Sequence, residues 1–256
     1  MTEEHLYPII DFDPDLRAII EPSEVIEPIN VPSHCVICFF RDVLDRVIEN
    51  HCAKLVHTMR SENGEHPLYE INHRGKRLAF FHPNVGAPLS AGLMEETIAL
   101  GVRHFIACGG CGVLDEGVAV GHLLVPYAAI RAEGTSYHYL PPSDEVRAEK
   151  QALAAIEATL MEQHVPYVLT KTWTTDAFYR ETPAKTAKYR AAGCLAVEME
   201  AAAFMAVAEF RGVNFGQILY GGDLVKADGW DSRDWSKRED IRERLFWLAA
   251  DACLKL

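Results

Sequence analysis

The 256-residue sequence is short of positive charge: 25 Lys and Arg stand against 37 Asp and Glu, a net charge of −12. Such a balance excludes whole-protein attraction to nucleic-acid phosphates or anionic lipid, so any anionic ligand needs a local pocket. No apolar run approaches the roughly 20 residues needed to cross a bilayer, and Met1 to Pro8 carries acids where an export signal carries bases. A cytoplasmic protein with no membrane or nucleic-acid partner is expected. No period of 20 to 50 residues repeats, which sets aside solenoids and propellers. The seven cysteines are an odd number, against a disulfide framework. Two pairs have C-x-x-C spacing, Cys35 with Cys38 and Cys108 with Cys111, which by spacing alone suits zinc. Both lie in or at the end of apolar runs, where cysteine behaves as a small hydrophobe, so no metal is expected.

What is present is the composition of a globular domain, 49% apolar with 17 Gly and 13 Pro. Residues 1–33, with Pro8, Pro14, Pro22, Pro28 and Pro32, read as an extended arm, and residues 34–256 as one domain. There short apolar runs alternate with helical patterns, the signature of a sheet covered by helices. Strands are predicted at Cys35 to Phe40, Leu78 to Phe81, Val102 to Cys108, Leu123 to Ile130, Tyr167 to Thr172 and Phe215 to Tyr220. Helices are predicted from near Ser90 to Gly101, from Ser143 through Leu160, from Thr182 to Gly193 and from near Met199 to Gly212. The spacing of Val43, Leu44, Val47 and Ile48 marks a further helix, and Ser236 to Glu239 a capping box before the last one. Gly109 to Gly112 reads as a turn whose N–H groups converge on an anion or a sugar oxygen.

The most informative segment is Val197-Glu198-Met199-Glu200-Ala201-Ala202-Ala203. Two carboxylates flank a Met where an apolar strand becomes a helix, at the sheet end where α/β proteins bind ligands. Acids in a first helical turn also favour the helix dipole, and by periodicity alone that plain role is the stronger. Two further loops, Gly109 to Gly112 and Gly221 to Asp223, fall at strand ends and allow one shared pocket.

Together with Arg131 to Tyr139, Trp173 to Tyr179 and Gly109 to Leu114, that segment resembles the nucleoside phosphorylase superfamily, over about residues 80 to 225. The group includes uridine phosphorylase, hexameric purine nucleoside phosphorylase and the methylthioadenosine nucleosidases. The resemblance implies a single-domain three-layer α/β/α fold with a central mixed sheet. It implies cleavage of the bond between a nucleobase and ribose C1′, with inorganic phosphate as co-substrate and no other cofactor. It also implies a homo-oligomer, a dimer or trimer of dimers, whose sites are completed across the interface. By the family pattern Glu200 takes the ribose hydroxyls, Met199 lies beneath the sugar, Glu198 supports the pocket and Phe178 lies against the base. Asp223 resembles the acid that protonates N7 in the purine-specific branch, a task that needs a raised pKa. The Gln-x-Arg signature for uracil is absent after Phe178-Tyr179, where Arg180-Glu181-Thr182 stands, so a purine is favoured.

The departures fall on the phosphate site. The Gly-Asp-Pro-x-Arg loop is replaced by Phe39-Phe40-Arg41-Asp42-Val43, and Ala107 and Gly110 stand where the family has an arginine and a hydroxyl. Gly109, Gly110, Arg41 and Arg60 are the remaining candidates beside the nucleophile, and His5 resembles a histidine lent to a neighbour's ribose site. Hydrolysis by water held near Asp42 is the first alternative, and nucleoside binding without turnover the second.

Overall fold

The computed structural model describes residues 7–256. His5, one of the candidate residues, lies outside the described residues. Along the chain come α1 (Pro22–Val25), β1 (His34–Cys38), α2 (Arg41–Asn50), β2 (Lys54–Ser61), β3 (Gly64–His73), β4 (Lys76–Phe81), α3 (Ala87–Leu100), β5 (His104–Val113), β6 (Leu123–Ala132), β7 (Glu145–Arg147) and α4 (Lys150–Glu162). There follow β8 (Tyr167–Thr175), α5 (Pro183–Ala191), β9 (Cys194–Glu198), α6 (Ala201–Arg211), β10 (Asn214–Lys226), β11 (Gly229–Asp231) and α7 (Glu239–Cys253).

The apolar run of β1 follows from helices covering both sheet faces, as near-continuous hydrophobic strands require. Val36 and Cys38 join a core with α2, α4 and α7, whereas Cys35 and Ile37 join the opposite core with α3 and α6. This is the three-layer α/β/α arrangement. It also separates Cys35 from Cys38, since residues three apart on a strand face opposite sides. All seven cysteines are free thiols.

The sheet is mixed, and part of it closes. β1 pairs in parallel with β4 and β5, and β3 and β2 extend that side antiparallel. On the other side β5, β9, β8, β6 and β10 pair in a ring, because β10 pairs with both β6 and β5. β5 changes partner along its length: His104 to Cys108 pairs with β1, and Gly112 to Val113 pairs with β9. The partner switch leaves an opening above the end of β1.

Several sequence expectations are corrected here. Gly109 to Gly112 is no turn but the continuation of β5, laddered with β10, so it is not an N–H nest. The strand after Asn214 likewise runs through Gly221 and Asp223 to Lys226. Ser143 does not open a helix: Val146 lies in β7, and α4 begins only at Lys150, where the Glu149 carboxylate accepts the N–H groups of Gln151 and Ala152. The last helix starts at Glu239 with Arg238 as N-cap and no side-chain cap bond. The β2–β3 hairpin has no clear signal in the sequence, because its exposed residues interrupt the apolar pattern.

Other local signals act as expected. Thr182 caps α5 by accepting the Lys185 N–H, with Pro183 at the first helical position. Gly212 ends α6 in the left-handed conformation at φ 65°, which suits glycine at a helix C-terminus. Residues 7–33 carry little regular structure and lie against α3 and α6. Ile29 N–H donates to Leu100 O at 3.1 Å, and Glu21 pairs with Arg211 at 2.7 Å. None of residues 7–33 lines the cavity described next.

Candidate active site

A cavity of about 720 Å³ opens over the carboxyl ends of β1 and β9, where the partner switch of β5 leaves room. The described residues that line it include Glu198, Met199, Glu200, Phe178, Asp223, Gly109 and Gly110. Seven of the ten sequence candidates are therefore brought together.

Glu198 ends β9 and is buried. Its Oε1 accepts the hydroxyls of Thr172 (3.2 Å) and Thr174 (2.6 Å) on β8. Its Oε2 accepts the N–H groups of Glu200 (2.7 Å) and Ala201 (2.6 Å), which open α6. Burial pushes its pKa up, while these donors pull it back down. All four bonds are internal, so Glu198 fastens strand to helix.

Glu200 is likewise buried, and its Oε1 accepts the Gly86 N–H at 2.6 Å from the loop before α3. Burial raises its pKa, and the Glu198 charge raises it further. The Met199 N–H also bonds this carboxyl, which lines the cavity. Met199 sits between the two acids, and Phe178, in a short 3-10 turn, is half exposed at the cavity with Tyr179 against it.

Asp223 owes its place to a β-bulge. Between Gly221 and Leu224 the register of β10 against β5 shifts, so that Gly222 and Asp223 together oppose Gly112. Bulges re-aim side chains next to sites in this way. Asp223 Oδ2 accepts the Trp230 Nε1–H from β11 at 2.7 Å. Gly112 has no room for more: an added Cβ would stand 2.9 Å from Val197 Cγ1 and 3.1 Å from Val225 Cγ2.

The arginine candidates are not brought in. Arg41 is exposed on the first turn of α2, its charge felt by His66 and His82. Arg60 pairs with Glu65 across the β2–β3 hairpin at 3.1 Å and is 76% exposed. Neither lines the cavity within this chain, because α2 and the hairpin point their polar faces outward. Asp42, the acid considered for holding water, is bound by Arg46 at 3.2 Å and Arg242 at 3.4 Å.

The structure adds residues that no motif marked. Arg242 on α7 is, among the described residues, the cationic group of the lining. Its guanidinium lies 5.3 Å from the Phe40 ring centre and 5.6 Å from that of Trp235, with Nε 3.4 Å from the Tyr220 hydroxyl. Gln217 is buried in β10 with its Oε1 unpartnered, and Glu181 joins Asp223. Arg242 lies 201 residues beyond Arg41 in a helix whose amphipathic pattern gives no hint of a site.

The sequence profile of the phosphorylase superfamily matches residues 33–246. The chain belongs to that superfamily. Guanosine phosphorylase of Halorubrum lacusprofundi is 31% identical over 205 residues, 77% of this chain and 83% of its own. Among solved structures, uridine phosphorylase of Vibrio fischeri superposes with a TM-score of 0.76 at 22% identity, covering 92% of this chain and 98% of its own. AMP nucleosidase of Bacteroides thetaiotaomicron gives 0.69 at 23% identity, with 87% of each chain covered. The superpositions agree with the three-layer fold built on a mixed sheet.

Proposed function

We propose that the cavity binds a purine ribonucleoside and cleaves its N-glycosidic bond with inorganic phosphate as acceptor, without another cofactor. The carrying observation is the placing of Glu200 and Asp223 in one cavity, a carboxyl partnered by backbone N–H groups and a second acid on the β10 bulge. The guanosine phosphorylase relative supports a purine.

Bond cleavage makes the sugar cation-like and the base anionic, so groups that answer those charges lower the barrier. Glu200 accepts the ribose hydroxyls and orients the sugar in the cavity. Met199 packs beneath the sugar, and Phe178 offers a ring face to the base. Asp223 holds the base edge. Glu198 acts indirectly, by holding the Glu200 backbone. Arg242 and the Gln217 amide replace the donors missing at Ala107 and Gly110, so they take the phosphate.

Water as acceptor is the second reading, favoured by a lining of four acidic side chains, Glu181, Glu198, Glu200 and Asp223, against one guanidinium. The experiment is base release from purine and pyrimidine nucleosides with and without phosphate, following ribose 1-phosphate against ribose. Phosphate-dependent ribose 1-phosphate supports phosphorolysis, and equal release without phosphate replaces it with hydrolysis. Nucleoside binding without base release overturns both in favour of a binding protein. We place the protein in the cytoplasm as a homo-oligomer: its free thiols suit a reducing compartment, and Arg60 is exposed enough to reach a neighbour's cavity.

A further inference from the structure

The base end of the cavity holds an acid that the family motifs leave unused. Glu181 follows the 3-10 turn Phe178–Arg180 and lines the same cavity as Asp223. It stands where a uracil-specific enzyme is expected to carry its amide and arginine. Burial pushes the Glu181 carboxyl up to about 7, and the Asp223 charge adds to the push. Glu198 from β9, Glu200 from the head of α6 and Arg242 from α7 are the other charged groups of the lining.

A carboxyl withdrawn from water beside a second acid ionises at a cost, so Glu181 holds its proton toward neutral pH. Asp223 Oδ2 accepts the Trp230 Nε1–H at 2.7 Å, which fixes that acid as a hydrogen-bond acceptor at the same end of the cavity. A proton donor matched to neutral pH is what a departing base needs.

We propose that Glu181 is the acid that protonates the leaving base, with Asp223 as the neighbour that holds the base edge. The assignment rests on the nucleoside-cleaving reading of this cavity and moves the proton from the acid expected by resemblance to another. In the step, the C1′–N bond breaks and its electron pair passes to the base. The Glu181 O–H bond breaks, its proton goes to a ring nitrogen of the base, and a phosphate oxygen bonds to C1′. Glu181 is left as a carboxylate and takes up a proton from solvent after the base departs.

The test compares wild type with Glu181→Gln on guanosine and on 7-methylguanosine, whose cationic base leaves without being protonated. Phosphate is kept saturating, and kcat and KM are followed across neutral pH. In the wild type, kcat on guanosine falls as pH rises through about 7. In Glu181→Gln it falls on the order of 10²-fold and loses that pH limb, while kcat on 7-methylguanosine stays within about threefold. Glu181→Asp, which keeps an acid, restores part of the guanosine rate and guards against a folding artefact. Equal loss on both substrates, or unchanged guanosine turnover in Glu181→Gln, overturns the assignment and leaves the cleavage reading standing. A wild type that cleaves neither nucleoside with either acceptor overturns the cleavage reading, and the assignment with it.

Discussion

Glu198 holds the backbone that presents Glu200: its Oε2 accepts the Glu200 N–H at 2.7 Å, while the Glu200 carboxyl turns away to Gly86 N–H at 2.6 Å. Two acids that look equivalent around Met199 thus have opposite tasks. Glu198 →Gln would set an amide N–H₂ against donors that now find an oxygen, at a cost of about 1–3 kcal/mol. Its melting temperature should drop by several degrees. Glu200→Gln keeps an oxygen for Gly86, so it should melt near the wild type yet lose about tenfold or more in kcat/KM for nucleoside. Calorimetry and steady-state kinetics on the two variants separate the roles, and a reversed pattern would exchange them.

Arg242 is expected to govern the acceptor. Arg242→Gln removes the cation of the lining, and the KM for phosphate should rise about tenfold or more, with a smaller change in the KM for nucleoside. Kinetics at varied phosphate check this. An unchanged phosphate KM would place the anion elsewhere.

Glu181 also makes stability depend on pH. Its folded pKa, about 7, stands above the ordinary 4.5, so the unfolded chain ionises first as pH rises. The contribution is whole below about 4.5 and is lost as pH rises through about 7. Glu181→Gln does not titrate there. Thermal melts of the two proteins should therefore diverge over that window, the variant gaining relative to the wild type as pH increases. Parallel curves would show that Glu181 ionises normally in the folded protein.

Gly112→Ala probes the crowding behind Asp223. The new methyl meets Val197 and Val225 at 2.9 and 3.1 Å, from the strands that carry Glu198 and Asp223. Overpacking of this kind costs about 1–3 kcal/mol. A lowered melting temperature together with weakened nucleoside binding is expected, and a neutral result in both would mean that β9 and β10 yield freely.

The part of the fold legible in the sequence is the part fixed by local chemistry. The doubly covered strand Cys35 to Cys38, the Thr182-Pro183 helix start and the Gly212 stop each follow from side-chain type and neighbouring positions. The Glu-Met-Glu segment lines the cavity because it joins a strand end to a helix start. Gly109 to Gly112 misled as a turn, because glycines look the same where a chain bends and where a strand is crowded by its neighbours. Here Phe39, Tyr220 and Val197 leave no space for side chains.

By itself, the sequence determined a layered α/β domain and the acids that gather at its sheet end, since hydrophobic periodicity and capping act over a few residues. Tertiary structure decided which acid is held by internal bonds, through those of Glu198 to Thr172 and Thr174. It also decided that Asp223 is aimed by a bulge and shares its end of the cavity with Glu181, and that Arg242, distant in the chain, supplies the cation. Those outcomes depend on burial and on charges brought together by strand register, which no local pattern encodes.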